Sequence, residues 1–177
     1  MVDASTGEEQ PAGSPGEIRV KGPTLMKGYL KVAPEEVFDT EGFFATGDAG
    51  FVDDEGHLHW VGRTSDLIKT GGANVSPVEI DNELLRHPGL HSALAVGVPH
   101  PTLGEIVVVC AVAQPGSGVD EDAVRDFLRG RLASYKLPRK VLFFAEHELT
   151  LTGNAKIRAD ELRKLALQRL AASENAF

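Results

Sequence analysis

Two apolar runs, residues 92–98 and 106–113, constrain what this 177-residue chain can fold into more than any other stretch. Ser92-Ala93-Leu94-Ala95-Val96-Gly97-Val98 and Ile106-Val107-Val108-Val109-Cys110-Ala111-Val112-Ala113 are nearly continuous in apolar character, so both faces of each strand must be covered. Strands covered on both sides demand helices, and the sequence signals them. Ser76-Pro77-Val78-Glu79 combines a capping hydroxyl, a proline at the first helical position and a glutamate three residues after the serine. Ile80, Leu84 and Leu85 give that helix an apolar face, and His87-Pro88-Gly89 stops it. Asp120 caps a second helix carrying Ala123, Val124, Phe127, Leu128 and Leu132 at helical spacing. A third, over about residues 159–171, places Leu162, Leu165, Ala166 and Leu170 on one side. With Val141-Leu142-Phe143-Phe144 as a third strand, the expectation is an α+β domain: a three-stranded sheet flanked by helices.

The chain before this is of another kind. Residues 3–16 are rich in Gly, Pro, Ser and Glu and read as a surface loop. Ile18-Arg19-Val20-Lys21 alternates as a half-buried strand and is stopped by Gly22-Pro23. Phe51-Val52 and Leu58-His59-Trp60-Val61 flank the acidic turn Asp53-Asp54-Glu55-Gly56, which suits a hairpin. The expected division is therefore a β-rich part, residues 1–64, and the α+β domain, residues 65–177.

Lys plus Arg number 18 and Asp plus Glu 26, a net charge of −8 that argues against nucleic acid and anionic membrane surfaces as partners. The basic cluster Arg129, Arg131, Lys136, Arg139 and Lys140 is a candidate for nucleotide phosphates; the plainer reading is a solvated charged face. Cys110, alone in the chain, reads as a core thiol inside its apolar run. No apolar stretch reaches the ~18 residues of a membrane span, and no signal-peptide pattern opens the chain, so a cytoplasmic protein is expected. The six histidines show no metal-ligand spacing; His57 and His59 alternate on the hairpin strand. There is no zinc motif, nucleophile elbow or dinucleotide fingerprint.

Four short segments carry candidate chemistry. In Thr46-Gly47-Asp48 the glycine lets backbone approach a ligand, and a carboxylate can accept from two neighbouring ribose hydroxyls, although the tripeptide alone reads as a turn. Arg63 offers fixed donors to ribose and phosphate oxygens, or else a surface ion pair with Asp66. Gly71-Gly72 is a weak signal alone. Lys156, in Thr150-Leu151-Thr152-Gly153-Asn154-Ala155-Lys156-Ile157-Arg158, is by itself a solvent-facing lysine.

Taken in order, these segments resemble the adenylate-forming superfamily of acyl-CoA synthetases, adenylation domains and luciferases. Gly16-Glu17-Ile18, Gly22-Pro23, Met26-Lys27-Gly28-Tyr29, Gly42-Phe43-Phe44, Thr46-Gly47-Asp48, residues 62–79 and residues 150–163 follow the family's order and spacing. The resemblance implies that residues 1–64 correspond to the barrel subdomain of a large N-terminal domain and that residues 65–177 are the small mobile C-terminal one. It implies Asp48 and Arg63 at the ribose of ATP or AMP, Gly71 and Gly72 lining the path of the CoA pantetheine arm, and Lys136 as a further CoA contact. Ser65 stands where the family pivots, in place of its usual Asp or Lys, and Lys156 is the lysine of acyl-adenylate formation, with Ala155 replacing a more usual glycine.

The implied reaction has two steps, from carboxylic acid and ATP to acyl-AMP, then from acyl-AMP and CoA to the thioester, with Mg2+ accompanying ATP but no ligand for it in this chain. The family's upstream phosphate loop, acyl pocket and most of its adenine site are missing here, so the chain is expected to need an N-terminal domain and to be inactive alone. The reading is a portion of a fatty-acid-type CoA ligase. The alternatives are the tail of an amino-acid adenylation domain serving a carrier protein, and a non-catalytic binding domain.

Overall fold

The structure, a computed structural model, describes residues 1–3, 6–149 and 159–174. It divides into two compact units, Met1–Ser65 and Asp66–Phe177.

The first unit is a three-stranded antiparallel sheet in the order β1-β2-β3, with β1 at Gly16–Val20, β2 at Phe44–Val52 and β3 at Leu58–Arg63. The expected hairpin joins β2 to β3. Its turn is closed by Asp53 N–H donating to His57 O at 3.0 Å, and the Asp53 carboxylate accepts from Glu55 N and His57 N at 3.0 and 2.8 Å. β2 is longer than its pattern suggests, because Thr46-Gly47-Asp48 is not a free turn but a bulge within it. Glu17 pairs with Ala49 and Arg19 with Ala45, so those three residues stand opposite Ile18 alone. Among the described residues of this unit the buried apolar side chains are Ile18 and Ala49, while Tyr29, Leu30, Leu58 and Trp60 are exposed.

In the second unit, β6 at Leu90–His100 and β7 at Gly104–Ala113 form the long antiparallel pair that the two apolar runs predict. The opposite edge of β7 is shared by β8, Lys140–Phe143, running parallel to it, and by β4, Ile68–Thr70, at its start. β4 and β5, Ala73–Val75, extend the expected three strands to five; at three residues each they are too short to leave a periodic signal.

Alternate residues of β7 enter opposite cores. Val107, Val109 and Ala111 pack with Ile80 and Leu84 of α1, Pro77–Leu84, and with Val124 and Leu128 of α2, Glu121–Leu128. Val108, Cys110 and Val112 pack with Leu162 and Ala166 of α3, Ala159–Glu174. Burial on both faces is why the strand is apolar throughout. Both expected caps form: Ser76 Oγ accepts from Glu79 N at 3.4 Å and Asp120 Oδ1 from Ala123 N at 2.9 Å. α2 stops at Leu128, so Leu132 reaches its core from the following segment rather than from the helix.

Candidate functional site

In the first unit the bulge aims Asp48 at the end of β3, where it is in register with Arg63. Arg63 Nε lies 3.0 Å from Asp48 Oδ1, and Nη1 donates to Thr46 O at 3.1 Å. Thr46 Oγ1 donates to Ile18 O at 2.7 Å and accepts from Asp48 N at 3.1 Å, locking the bulge. Gly47 adopts φ 71°, a left-handed conformation that disfavours any side chain. Arg63 therefore pairs with Asp48, the other predicted ribose residue.

Asp48 Oδ1 is buried, yet it accepts no aligned hydrogen bond; the guanidinium meets it through charge alone. With Arg63 59% exposed, such a pair contributes at most ~1 kcal/mol to folding. What it does provide chemically is a fixed anionic acceptor beside fixed cationic donors.

In the second unit Gly71 and Gly72 form the two-residue turn between β4 and β5, with Ile68, Lys69 and Thr70 facing Val75, Asn74 and Ala73. Their φ values are 57° and 83°. A tight hairpin with positive φ at both central positions calls for glycine on conformational grounds alone. The space at Gly72 is open, with nothing within 4 Å of where a Cβ would stand. Gly71 N–H donates to Leu103 O at 2.9 Å, tying the turn to the β6–β7 connection.

The basic cluster is largely matched by carboxylates. Lys136 Nζ bonds both oxygens of Glu79, at 2.7 and 2.6 Å. Arg129 pairs with Asp126, and Arg131 lies 4.0 Å over the Phe127 ring and 3.9 Å from Glu83 Oε2. For Arg129 and Arg131 the solvated charged face is the better description, and the part-buried Lys136 has its charge satisfied within the domain.

Ser65 sits in the short 3-10 turn Thr64–Asp66. Lys156 and its loop, residues 150–158, lie outside the described residues. His57 and His59 converge on Asp53, with His59 Nε2 at 2.6 Å and His57 Nδ1 at 3.4 Å from its Oδ2. The His59 hydrogen bond, followed by that from His57 N–H, holds the Asp53 carboxyl below the usual carboxylate range. Among the described residues no group of three His, Cys, Asp or Glu side chains could hold a metal ion, so no side chain here is assigned to Mg2+.

Two residues that the sequence reading passed over, Asp81 and Glu105, occupy structured positions. Asp81 of α1 is half-buried and accepts the Ala95 N–H of β6 at 2.6 Å, and desolvation pushes its carboxyl up to about 7. Glu105 accepts Lys69 N–H and is paired with Arg163 of α3. A signal did exist for Glu105, a lone acid at the head of an otherwise apolar run; Asp81, between Glu79 and Glu83, left none.

Residues 79–156 match the family model described as the AMP-binding enzyme C-terminal domain. A feruloyl-CoA synthase of Amycolatopsis sp is 41% identical over 161 residues, which cover 90% of this chain and 32% of that protein. A mitochondrial medium-chain acyl-CoA ligase of Mus musculus is 32% identical over 173 residues, 96% of this chain and 28% of that protein. ATP-bound MatB from Rhodopseudomonas palustris superposes with a TM-score of 0.79 at 40% identity, covering 93% of this chain and 33% of that one. The chain thus spans about a third of the length of the relatives it matches.

Proposed function

The chain carries the C-terminal portion of an acyl-CoA-synthetase-type enzyme, and on that premise we propose that it is the moving part of an AMP-forming acid–thiol ligase. In the first half-reaction a carboxylate oxygen bonds to the α-phosphorus of ATP and pyrophosphate leaves, giving acyl-AMP. In the second the CoA sulfur bonds to the acyl carbon, AMP leaves and the thiol proton is released.

Asp48 accepts from the ribose hydroxyls and Arg63 donates to ribose and phosphate oxygens. Lys156 offsets the charge that builds as the acyl oxygen displaces pyrophosphate. Turning about Ser65 exchanges Lys156 for the Gly71–Gly72 turn, which leaves room for the pantetheine arm. Lys136 contacts CoA in this reading only by giving up Glu79. Mg2+ accompanies the phosphates of ATP.

The observation that carries the reading is Asp48 Oδ1, a buried acceptor without an aligned donor, held in register beside Arg63. A ribose hydroxyl donates to the accessible part of this carboxylate, whose side chain is 28% exposed. The remainder of a large N-terminal domain is the partner, and the exposed Leu58 and Trp60 of a unit with so few buried apolar residues support it.

The acid we assign is a fatty or related hydrophobic one. A relative named for medium-chain acyl groups supports this, and one named for feruloyl-CoA extends the hydrophobic class to an aromatic acid. CoA rather than a carrier protein is the acceptor, in keeping with both names. No described helix is long and apolar enough to cross a membrane, and we place the enzyme in the cytoplasm.

The test is to assay the enzyme completed by its N-terminal domain for acid-dependent pyrophosphate release and for CoA thioester. Medium-chain fatty acids should support both, and the 177-residue chain alone should support neither. Acyl transfer to a carrier protein but not to CoA overturns the assignment.

A further inference from the structure

Glu105, at the head of β7, holds two different elements with its two oxygens. Oε2 accepts Lys69 N–H of β4 at 2.9 Å, and Oε1 accepts Arg163 Nη2 of α3 at 2.9 Å. The carboxylate is well covered, with 19% of the side chain exposed. Gly97 of β6 makes room for it: a Cβ there would come within 2.9 Å of Glu105 Oε2 and 3.1 Å of Ile68 Cγ2.

The hairpin thus held is short, anchored in the α1/α2 core through the buried Ile68 and Val75, while its turn projects beyond them. Its strands have three residues each, and a hairpin of that size is not stable unaided. It is moored to the sheet beside its turn by the Thr70–Gly104 bridge, by Gly71 N–H on Leu103 O and by the Glu105 carboxylate. The last is the charge-assisted bond, the stronger kind. Arg163 of α3 holds the other oxygen of that carboxylate.

We propose that Arg163 and Glu105 are positioning residues for thiol transfer. The guanidinium orients the carboxylate, the carboxylate holds Lys69 N–H, and the Gly71–Gly72 turn is kept in the register that admits a pantetheine thiol. Neither residue touches substrate. The assignment rests on the ligase reading above.

Hydrogen exchange on the 177-residue chain tests the mooring without any catalysis. Glu105→Ala should speed exchange at Lys69 and Gly71 about tenfold or more while the amides that pair β6 with β7 keep their protection. Glu105→Gln, which keeps an acceptor for Lys69, should rescue part of this, and Arg163→Met and Gly97→Ala should act in the same direction as Glu105→Ala. In the completed enzyme the same variants should raise KM for CoA about five- to tenfold and leave acyl-AMP formation within about twofold. Unchanged exchange at Lys69 and Gly71, protection lost evenly over β6 and β7, or equal loss in both half-reactions overturns the proposal. A wild-type enzyme that forms no CoA thioester is a different failure: it removes the ligase reading, while the exchange result still decides whether the pair moors the hairpin.

Discussion

Asp48 and Arg63 face each other across β2 and β3, Oδ1 to Nε at 3.0 Å, because a bulge opposite Ile18 turns the aspartate towards the end of the neighbouring strand. The bulge needs Gly47 at positive φ and the Thr46 hydroxyl bridging to Ile18 O. Thr46-Gly47-Asp48 is therefore a single device, with a glycine that bends, a threonine that locks and an aspartate that is aimed.

Removing either end of this pair should weaken nucleotide binding far more than it weakens the fold. In the completed enzyme Asp48→Ala should raise KM for ATP by about ten- to a hundredfold, the loss of charged hydrogen bonds of ~1.5–3 kcal/mol. Arg63→Ala should act similarly, and both should shift the urea midpoint little, since the exposed pair contributes at most ~1 kcal/mol. An unchanged KM for ATP in both variants would remove them from the ribose.

Gly72→Trp should block thioester formation and leave adenylation intact. The indole would fill the open space at the turn, and the φ of 83° adds ~1–2 kcal/mol of backbone strain. Pyrophosphate release in single turnover should match wild type while CoA consumption falls. The reverse pattern would exchange the two faces of this domain.

Lys156→Ala should slow acyl-adenylate formation by about 10²- to 10³-fold, the effect of removing one preorganised charge-stabilising group. Thioester formation from supplied acyl-AMP should continue. Equal loss in both half-reactions would show that the lysine acts elsewhere.

Ser65→Pro should separate the half-reactions. Proline restricts the backbone torsion available to the 3-10 turn Thr64–Asp66, so the conformation it favours should keep its half-reaction while the other slows. Pre-steady-state measurement of each step decides this, and equal rates for both would move the pivot off Ser65.

Asp81 makes stability fall with rising pH. Its folded-state pKa of about 7 lies above the ordinary value of 3.8, so the folded chain binds a proton that the unfolded chain releases between those limits. The favourable contribution is complete below about pH 4, declines as pH rises to about 7 and is gone above it, at most ~4 kcal/mol in all. Urea unfolding at pH 4.5 and 8 should show the decline in wild type and a flatter profile in Asp81→Asn. An unaltered profile in the variant would assign the pH dependence to other groups.

The sheet and its helices were legible in the sequence because their causes are local. A strand covered on both faces has to be apolar at successive positions, as Val107 through Val112 are, and a capped helix start has to carry residues such as Ser76, Pro77 and Glu79 in that order. The candidate residues Asp48, Arg63, Gly71 and Gly72 were nominated through the order and spacing of short motifs along the chain.

The sequence by itself thus determined the helices, the three longer strands of the α+β sheet and the identity of the residues to examine, but not the three-residue strands β4 and β5. Only the tertiary structure decided what each one faces. It made Thr46-Gly47-Asp48 a bulge rather than a turn, paired Arg63 with Asp48, and satisfied Lys136 with Glu79. It also brought Lys69, Glu105 and Arg163 together and set the half-buried Asp81 on the Ala95 N–H. The physical reason is one of range: capping and periodicity act over a few residues, and so leave their pattern in the chain. A hydrogen bond or ion pair between distant residues depends on strand register and on packing across the sheet, which no short stretch of sequence encodes.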